Sequence, residues 1–311
     1  MSIVSVERSR SIDEQGVKAA TFQAIDSAGF RCNKEVDLAV IKPNLCYYWD
    51  STTGETTDPR VVSAIIDYIR ERVNGNAKIS IVESDASAMR ADHAFLMLGY
   101  RKLAKQKGVK LENISEGETI DKELVVRNRR IAISLSRTLY EADLVINAPK
   151  LKVGPYASGQ SPHITCALKN FFGLISTQRK VTYHSFLSET IVAVNKVIKP
   201  DVVVTDGIVA KGRYPVRLGA ILCGTNNLSV DVIASRILGY DPRSVDHIKL
   251  ASDEGIGLIE GITLKGEDLD SLQILLPKVN RTFLSLSWKF QLFGVGLYCK
   301  TTGDTMPPIL G

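Results

Sequence analysis

A chain of 311 residues, 44% of them hydrophobic and 23% charged, is long enough to bury a sizeable core in one large or two modest domains. Its formal net charge of +5, from 39 basic and 34 acidic residues spread along the chain, lacks the concentrated basic stripe of a nucleic-acid binder, so no nucleic-acid partner is expected. The cysteines Cys32, Cys46, Cys166, Cys223 and Cys299 form no CxxC pair, which excludes a zinc knuckle or a local cluster motif, and their odd, scattered count suits reduced thiols in the cytoplasm. The N-terminus turns polar after a short strand, without a signal-peptide pattern, and no apolar run reaches transmembrane length.

Taken in order, Ser2–Val6 alternates as a first strand, and Ser11–Ala28 keeps helical spacing at Val17, Ala20, Ala24 and Ala28. Asp37–Lys42 is a short apolar run that suits a buried parallel strand and ends at Pro43. A polar loop over Asn44–Pro59 follows. Asp58-Pro59 then starts a helix, Asp as N-cap and Pro as first helical residue. Lys78–Glu83 reads as a strand, Asp92–Lys107 as a helix that Gly108 ends, and Val109–Asn113 as a short strand. Glu116–Arg130 is a charged excursion, read as a hairpin with apolar parts at Leu124–Val126 and Ile131–Ile133. Leu144–Ala148 is a strand that breaks at Pro149 into a loop running to His163. A helix carrying Lys169 and Asn170 follows. Phe186–Val197 is helical and Asp201–Thr205 is an apolar strand, with a turn expected at Asp206-Gly207. Ala220–Cys223 is a strand, Ser229–Leu238 and Val245–Glu254 are helices, and Thr263–Gly266 and Leu272–Leu276 are late short strands.

Short apolar strands alternating with amphipathic helices define an α/β fold: a mainly parallel, Rossmann-like sheet with helices on both faces. We expect one domain over residues 1–276 and a short C-terminal arm over 277–311. In the arm, Leu284, Leu286, Trp288, Phe290 and Leu292 fit a strand of period two. Phe283, Leu286, Phe290, Phe293 and Leu297 fit a helix instead. Packing on the body or on a second subunit, as in a homodimer, is the leading expectation for the arm. Its aromatics and Lys289 also suit a membrane surface.

Ligands of such sheets bind beyond the carboxyl ends of the strands, so the residues just past those ends are the ones to weigh. Lys42 and Asn44 flank Pro43 there, offering a point charge and a two-sided hydrogen-bonding head; a strand-end lysine reaching solvent and a turn-capping Asn is the plainer reading. Thr52–Asp58 could hold an anion at a helix N-terminus but lacks a phosphate-loop spacing. Glu83-Ser84-Asp85 offers two carboxylates for acid–base work or a metal, or ordinary turn chemistry. Lys150, Lys152, His163 and Lys169 form the densest set. Clustered lysines bind anions, and one whose proton affinity falls can abstract a proton. His163 could shuttle protons, although a lone histidine is more often structural. Arg179-Lys180 and Tyr183-His184 either fold back over the site or form a solvated turn. Asp206 is as readily a turn residue, and for Asp231, in the first turn of a helix, the plainer reading is stabilisation of the helix dipole.

The segments VIKPNL at Val40–Leu45, TTDPRVVSAII at Thr56–Ile66, LVINAPKLK at Leu144–Lys152, ALKNFFGLI at Ala167–Ile175 and SVDVIASRILGYDP at Ser229–Pro242 resemble the domain-of-unknown-function 362 family of archaea and bacteria. That resemblance raises Lys150, Lys152, Lys169 and Asn170 and implies no settled activity. Many members attach a ferredoxin-like module with two cysteine-rich cluster motifs. This chain has neither motif, so it reads as a stand-alone member related to iron–sulfur proteins by family only. The Gly154–His163 loop is longer than the family pattern, which weakens His163. A fainter, fold-level likeness is to the nickel-pincer lactate racemases, with Thr57-Asp58-Pro59, His163 and Lys169 as counterparts.

The leading expectation is an enzyme-like protein that binds a small carboxylate or phosphate for proton-transfer or redox chemistry. Lys169, Lys150 and His163 are its catalytic candidates, and Lys42, Asn44, Lys152, Asn170 and Asp206 its binding candidates. The alternative is a non-catalytic accessory protein serving a redox or cofactor-assembly partner through the arm. The sequence assigns no metal ligands and names no cofactor.

Overall fold

The computed structural model describes residues 2–86, 89–154, 164–177, 180–212 and 214–273, with Phe290, Phe293, Leu297, Lys300 and Thr301 beyond them. Ser2–Arg8 (β1) leads to Glu14–Ser27 (α1), whose N-cap Asp13 accepts from the Gly16 amide at 2.7 Å. Leu38–Pro43 (β2) precedes Pro59–Arg72 (α2), and Asp58 caps that helix by accepting from the Arg60 amide at 2.9 Å, as the Asp-Pro pair predicts. Lys78–Glu83 (β3) is followed by Ala91–Met97 (α3) and Tyr100–Lys107 (α4), not by one helix. Gly99 breaks it, with a left-handed φ of 81° that glycine adopts without strain.

Lys110–Asn113 (β4) comes next. Thr119–Val126 (β5) and Arg129–Ser136 (β6) then pair as the expected separate hairpin, and Arg137–Glu141 (α5) follows. Leu144–Ala148 (β7) continues past Pro149 as Lys150–Val153 (β8), which Ile164–Thr165 (β9) joins. Ala167–Asn170 (α6), Leu187–Val197 (α7), Val202–Lys211 (β10), Pro215–Gly224 (β11) and Asn227–Ile237 (α8) come after it. Asp246–Asp253 (α9), Ile262–Gly266 (β12) and Leu269–Gln273 (α10) complete the described elements.

Three readings of the sequence are corrected. Lys150 and Lys152 lie on a strand, not in a loop. β10 is long enough to pair with β7 at Val202–Val203 and with β8 from Asp206 on, and the Asp206 amide donates to the Pro149 carbonyl across the break. Asp206-Gly207 is therefore not a turn: β10 runs through it, with only a register shift at Gly207/Val209. Leu272, read as a strand residue, sits in α10 with its side chain buried.

The strand order is β12-β1-β11-β10-β7-β2-β3-β4, parallel from β10 to β4 and antiparallel at β10–β11 and β11–β1. Alternate residues of the central strands feed two cores. Ala39, Ile41, Ile79 and Ile81 pack with α1, α2, α3 and α4; Val40, Val82 and Val145 pack with α6, α7, α8 and α9. Both faces of the sheet are covered, which is why its strands read as near-continuous apolar runs. Each fully buried isoleucine, such as Ile41 or Ile81, contributes about 1.5–3 kcal/mol.

Candidate functional site

The parallel strands β2, β3 and β7 all end at one rim of the sheet, at Pro43, Glu83 and Ala148. Two lysines there are already committed. The Lys42 ammonium donates to Glu83 Oε2 at 2.8 Å and to the Pro43 carbonyl at 2.6 Å, with both side chains buried. Burial pushes the Lys42 ammonium down against the pull of Glu83. Gly173 closes over the pair; a Cβ there would meet Lys42 Cε and Nζ at 3.1 Å. Lys150 donates to Asp206 Oδ2 at 2.7 Å, both side chains fully buried, and Asp206 also accepts from the Asp58 and Ile208 amides at 2.7 and 2.8 Å.

A third cluster gathers on the loop before α2. Lys152 donates to the Glu55 carboxylate at 3.0 Å and to its carbonyl at 2.7 Å, and Lys211 pairs with the same carboxylate. Burial pushes the Glu55 carboxyl up, but Lys152 and Lys211 outweigh it and hold the group below its usual range.

Between these clusters runs a chain of five asparagine side chains. Asn44 donates to Asn170 (3.1 Å), Asn170 to Asn147 (2.7 Å), Asn147 to Asn227 (2.7 Å) and Asn227 to Asn195 (2.7 Å). Backbone carbonyls take the remaining amide hydrogens: Lys42 from Asn170, Ala167 from Asn147, and Leu168 and Ile191 from Asn195. Asn44 Oδ1 and Thr56 Oγ1 are buried without a hydrogen-bond partner among the described residues. Thr57 ties this corner to β7, accepting from the Asn44 amide and donating to the Ala148 carbonyl.

The single turn of α6 carries the residue that these contacts leave over. Asp231, fully buried on α8, accepts from the Ala167 and Leu168 amides at 2.6 and 3.0 Å and so fixes the turn; burial pushes its carboxyl up to about 7. Lys169 then projects with no hydrogen bond or ion pair to any described residue, and it keeps part of its surface open to solvent. Removal of most of its hydration, reinforced by nearby Lys152, pushes its ammonium down to about 8. A second buried lysine, Lys180, has only the Ser84 hydroxyl as partner among the described residues, and burial pushes it down to about 7.

Of the residues singled out from sequence, the structure brings Lys42, Asn44, Lys150, Lys152, Asn170 and Asp206 to this one rim through the contacts above, with Lys169 beside Asn170 on α6. His163 lies outside the described residues. Glu83 and Asp85 are spent on structure, Glu83 on Lys42 and Asp85 on the Ala91 amide and Asn113. Asp231 does more than serve its own helix: it anchors α6. Asn147, Asn195 and Asn227 went unread, although an asparagine inside the apolar run LVINA was the available signal. Among the described residues no group of three or more His, Cys, Asp or Glu side chains gathers to hold a metal ion.

A Rossmann-like sheet with lysines and amides gathered at its parallel strand ends defines the class of protein. Residues 39–236 match the model of a family described as a domain of unknown function, DUF362, and the chain belongs to that family. A thylakoid-associated protein of Synechocystis sp. is 26% identical over 270 residues, covering 82% of this chain and 79% of that protein. Among solved structures, the lactate racemase apoprotein from Thermoanaerobacterium thermosaccharolyticum aligns with a TM-score of 0.38 and 11% identity over 71% of this chain. The chain covers 53% of that structure's length, and a likeness so faint carries no argument about activity.

Proposed function

We propose that the protein binds a small carboxylate or phosphate at Lys169 and performs proton transfer at an activated carbon there. The observation that carries this reading is the contrast in partners: Lys42 and Lys150 each hold a buried carboxylate, whereas Lys169 has none among the described residues. Lys152, Lys211 and Lys169 surround one glutamate, so a surplus of positive charge is left for an anion. An ammonium near 8 releases and regains its proton close to neutral pH, which suits acid–base work. Asn170 and Asn44 would orient the ligand. The test is a thermal-shift screen of phosphate, lactate and small dicarboxylates on the wild type and Lys169→Met. Stabilisation lost in the variant supports the assignment; equal stabilisation of both proteins refutes it.

A second reading, an accessory protein docking through its arm on a partner or an anionic membrane surface, draws on the exposure of Phe290, Phe293 and Leu297 at helical positions. Between Ser271 and Gly303 the sequence has Lys278, Arg281, Lys289 and Lys300 and no acidic residue. The relative described as thylakoid-associated agrees with surface attachment. Among the described residues no helix is long and apolar enough to cross a membrane. Co-sedimentation with anionic vesicles, with and without residues 277–311, decides it; unchanged binding on deletion removes this reading.

A further inference from the structure

We propose that Lys169 is a Schiff-base lysine whose ligand is a small carbonyl compound bearing a carboxylate or phosphate. The inference rests on the anion-binding reading above and names the substrate class. An amine adds to a carbonyl only when it is unprotonated, reachable and not tied down by a partner. Lys42 and Lys150 are neither reachable nor free, being buried and ion-paired. Lys152 and Lys211 are held by Glu55, and Lys180 is buried against Ser84. Lys169 alone among these keeps part of its surface open and has no partner among the described residues.

The surroundings supply the rest. A neighbouring cation lowers an amine's proton affinity, and the repulsion of Lys169 by Lys152 adds to the effect of its desolvation. The same cations hold the ligand's anionic group and so place its carbonyl beside the amine. Asp231 and Asn195 fix the α6 backbone at Leu168, immediately before the reacting residue, so the amine is presented from a rigid turn.

The step balances without an oxidant, reductant or further reactant. The Lys169 nitrogen attacks the carbonyl carbon, and the carbon–oxygen π pair moves onto oxygen. A proton passes from nitrogen to that oxygen to give the carbinolamine. Loss of the hydroxyl with a second proton, as one water, leaves the imine. Its protonated form draws electrons from the adjacent carbon–hydrogen bond, which is the activation that proton transfer at carbon requires.

The test is reductive trapping on the full chain. The protein is incubated with pyruvate, 2-oxoglutarate or glycolaldehyde phosphate in the presence of cyanoborohydride, and the adduct is located by peptide mass spectrometry. We expect one reduced adduct on Lys169, formed at least about tenfold faster than on any other lysine and rising as pH goes from 6 to 8. Mapping on the wild type makes this independent of any variant's folding; Lys169→Arg, which keeps the charge, should lose the adduct and retain anion stabilisation. Adduct spread evenly over surface lysines, or none, overturns the Schiff-base assignment. Phosphate and lactate, which carry no carbonyl, separate the two readings: if they still stabilise the wild type and not Lys169→Met, the anion site stands and only the imine falls. If neither does, both fall.

Discussion

Two groups of lysines, buried or partly buried, share one rim of the sheet and differ in what neutralises them. Lys42 and Lys150, at the ends of β2 and in β8, sit against Glu83 and Asp206 and tie strands to their neighbours. Lys169 and Lys180, on the irregular segment between β9 and α7, meet no carboxylate of the described residues at hydrogen-bonding distance, and both have their proton affinity pushed down. A buried charge that is paired holds structure, and removal of its partner is costly. A buried charge left unpaired is held at a cost in stability, and such groups gather where chemistry is done. On the proposed function, the contrast sets Lys169 apart from the lysines that hold the fold.

Breaking the paired side should have the largest effect. Asp206→Ala strands the Lys150 ammonium and orphans the Asp58 and Ile208 amides, and a loss of about 3–5 kcal/mol is expected by chemical denaturation. Asn147→Ala, which cuts the asparagine chain at its middle, should cost about 1–3 kcal/mol through its orphaned neighbours and weaken anion stabilisation at Lys169.

A gradual effect follows from pH. The folded Lys180 and Lys169 titrate near 7 and 8, below the 10.5 of an unperturbed lysine, so the unfolded chain holds their protons longer. Stability from these two groups therefore rises with pH from about 7 to 10.5, and the rise should flatten in Lys180→Met and Lys169→Met. Anion stabilisation should move the opposite way, fading above about 8 as Lys169 loses its charge. The smallest loss is expected for Lys180→Met. It removes a desolvated ammonium whose partner, Ser84, still donates to the Gly173 carbonyl, so its denaturation midpoint should equal or exceed the wild type's.

Much of the scaffold was legible because its signals are local. Asp58-Pro59 marked a helix start, the apolar runs at Asp37–Lys42, Lys78–Glu83 and Leu144–Ala148 marked buried strands, and the charged hairpin stood apart. What failed was set by pairing at a distance. Nothing within Lys150–Val153 announces a strand; it becomes one because β10, some fifty residues on, is long enough to accept it. Site residues show the same division. Lys42, Lys150 and Lys169 all read as cations past a strand end, and only the 41-residue span to Glu83 and the 56-residue span to Asp206 remove the first two from the list of free charges. Lys180, read within a charged turn, proves buried, because its segment returns to Ser84 at the end of β3.

The asparagine chain has a direction. Every link passes an N–H to the next oxygen, and backbone carbonyls, which only accept, pin the amides of Asn170, Asn147 and Asn195 in that sense. The orientation of Asn44 is thereby dictated: its nitrogen must face Asn170 and its oxygen is left over. Carboxamides do not titrate, so that oxygen remains an acceptor at every pH at which the lysines around it change charge. Whatever sits beside Asn44 is asked for a donor, while on the proposed function Lys169 asks for an anion. On that proposal such a corner would read two unlike ends of one molecule, and it would read the polar end with a group that has no alternative state.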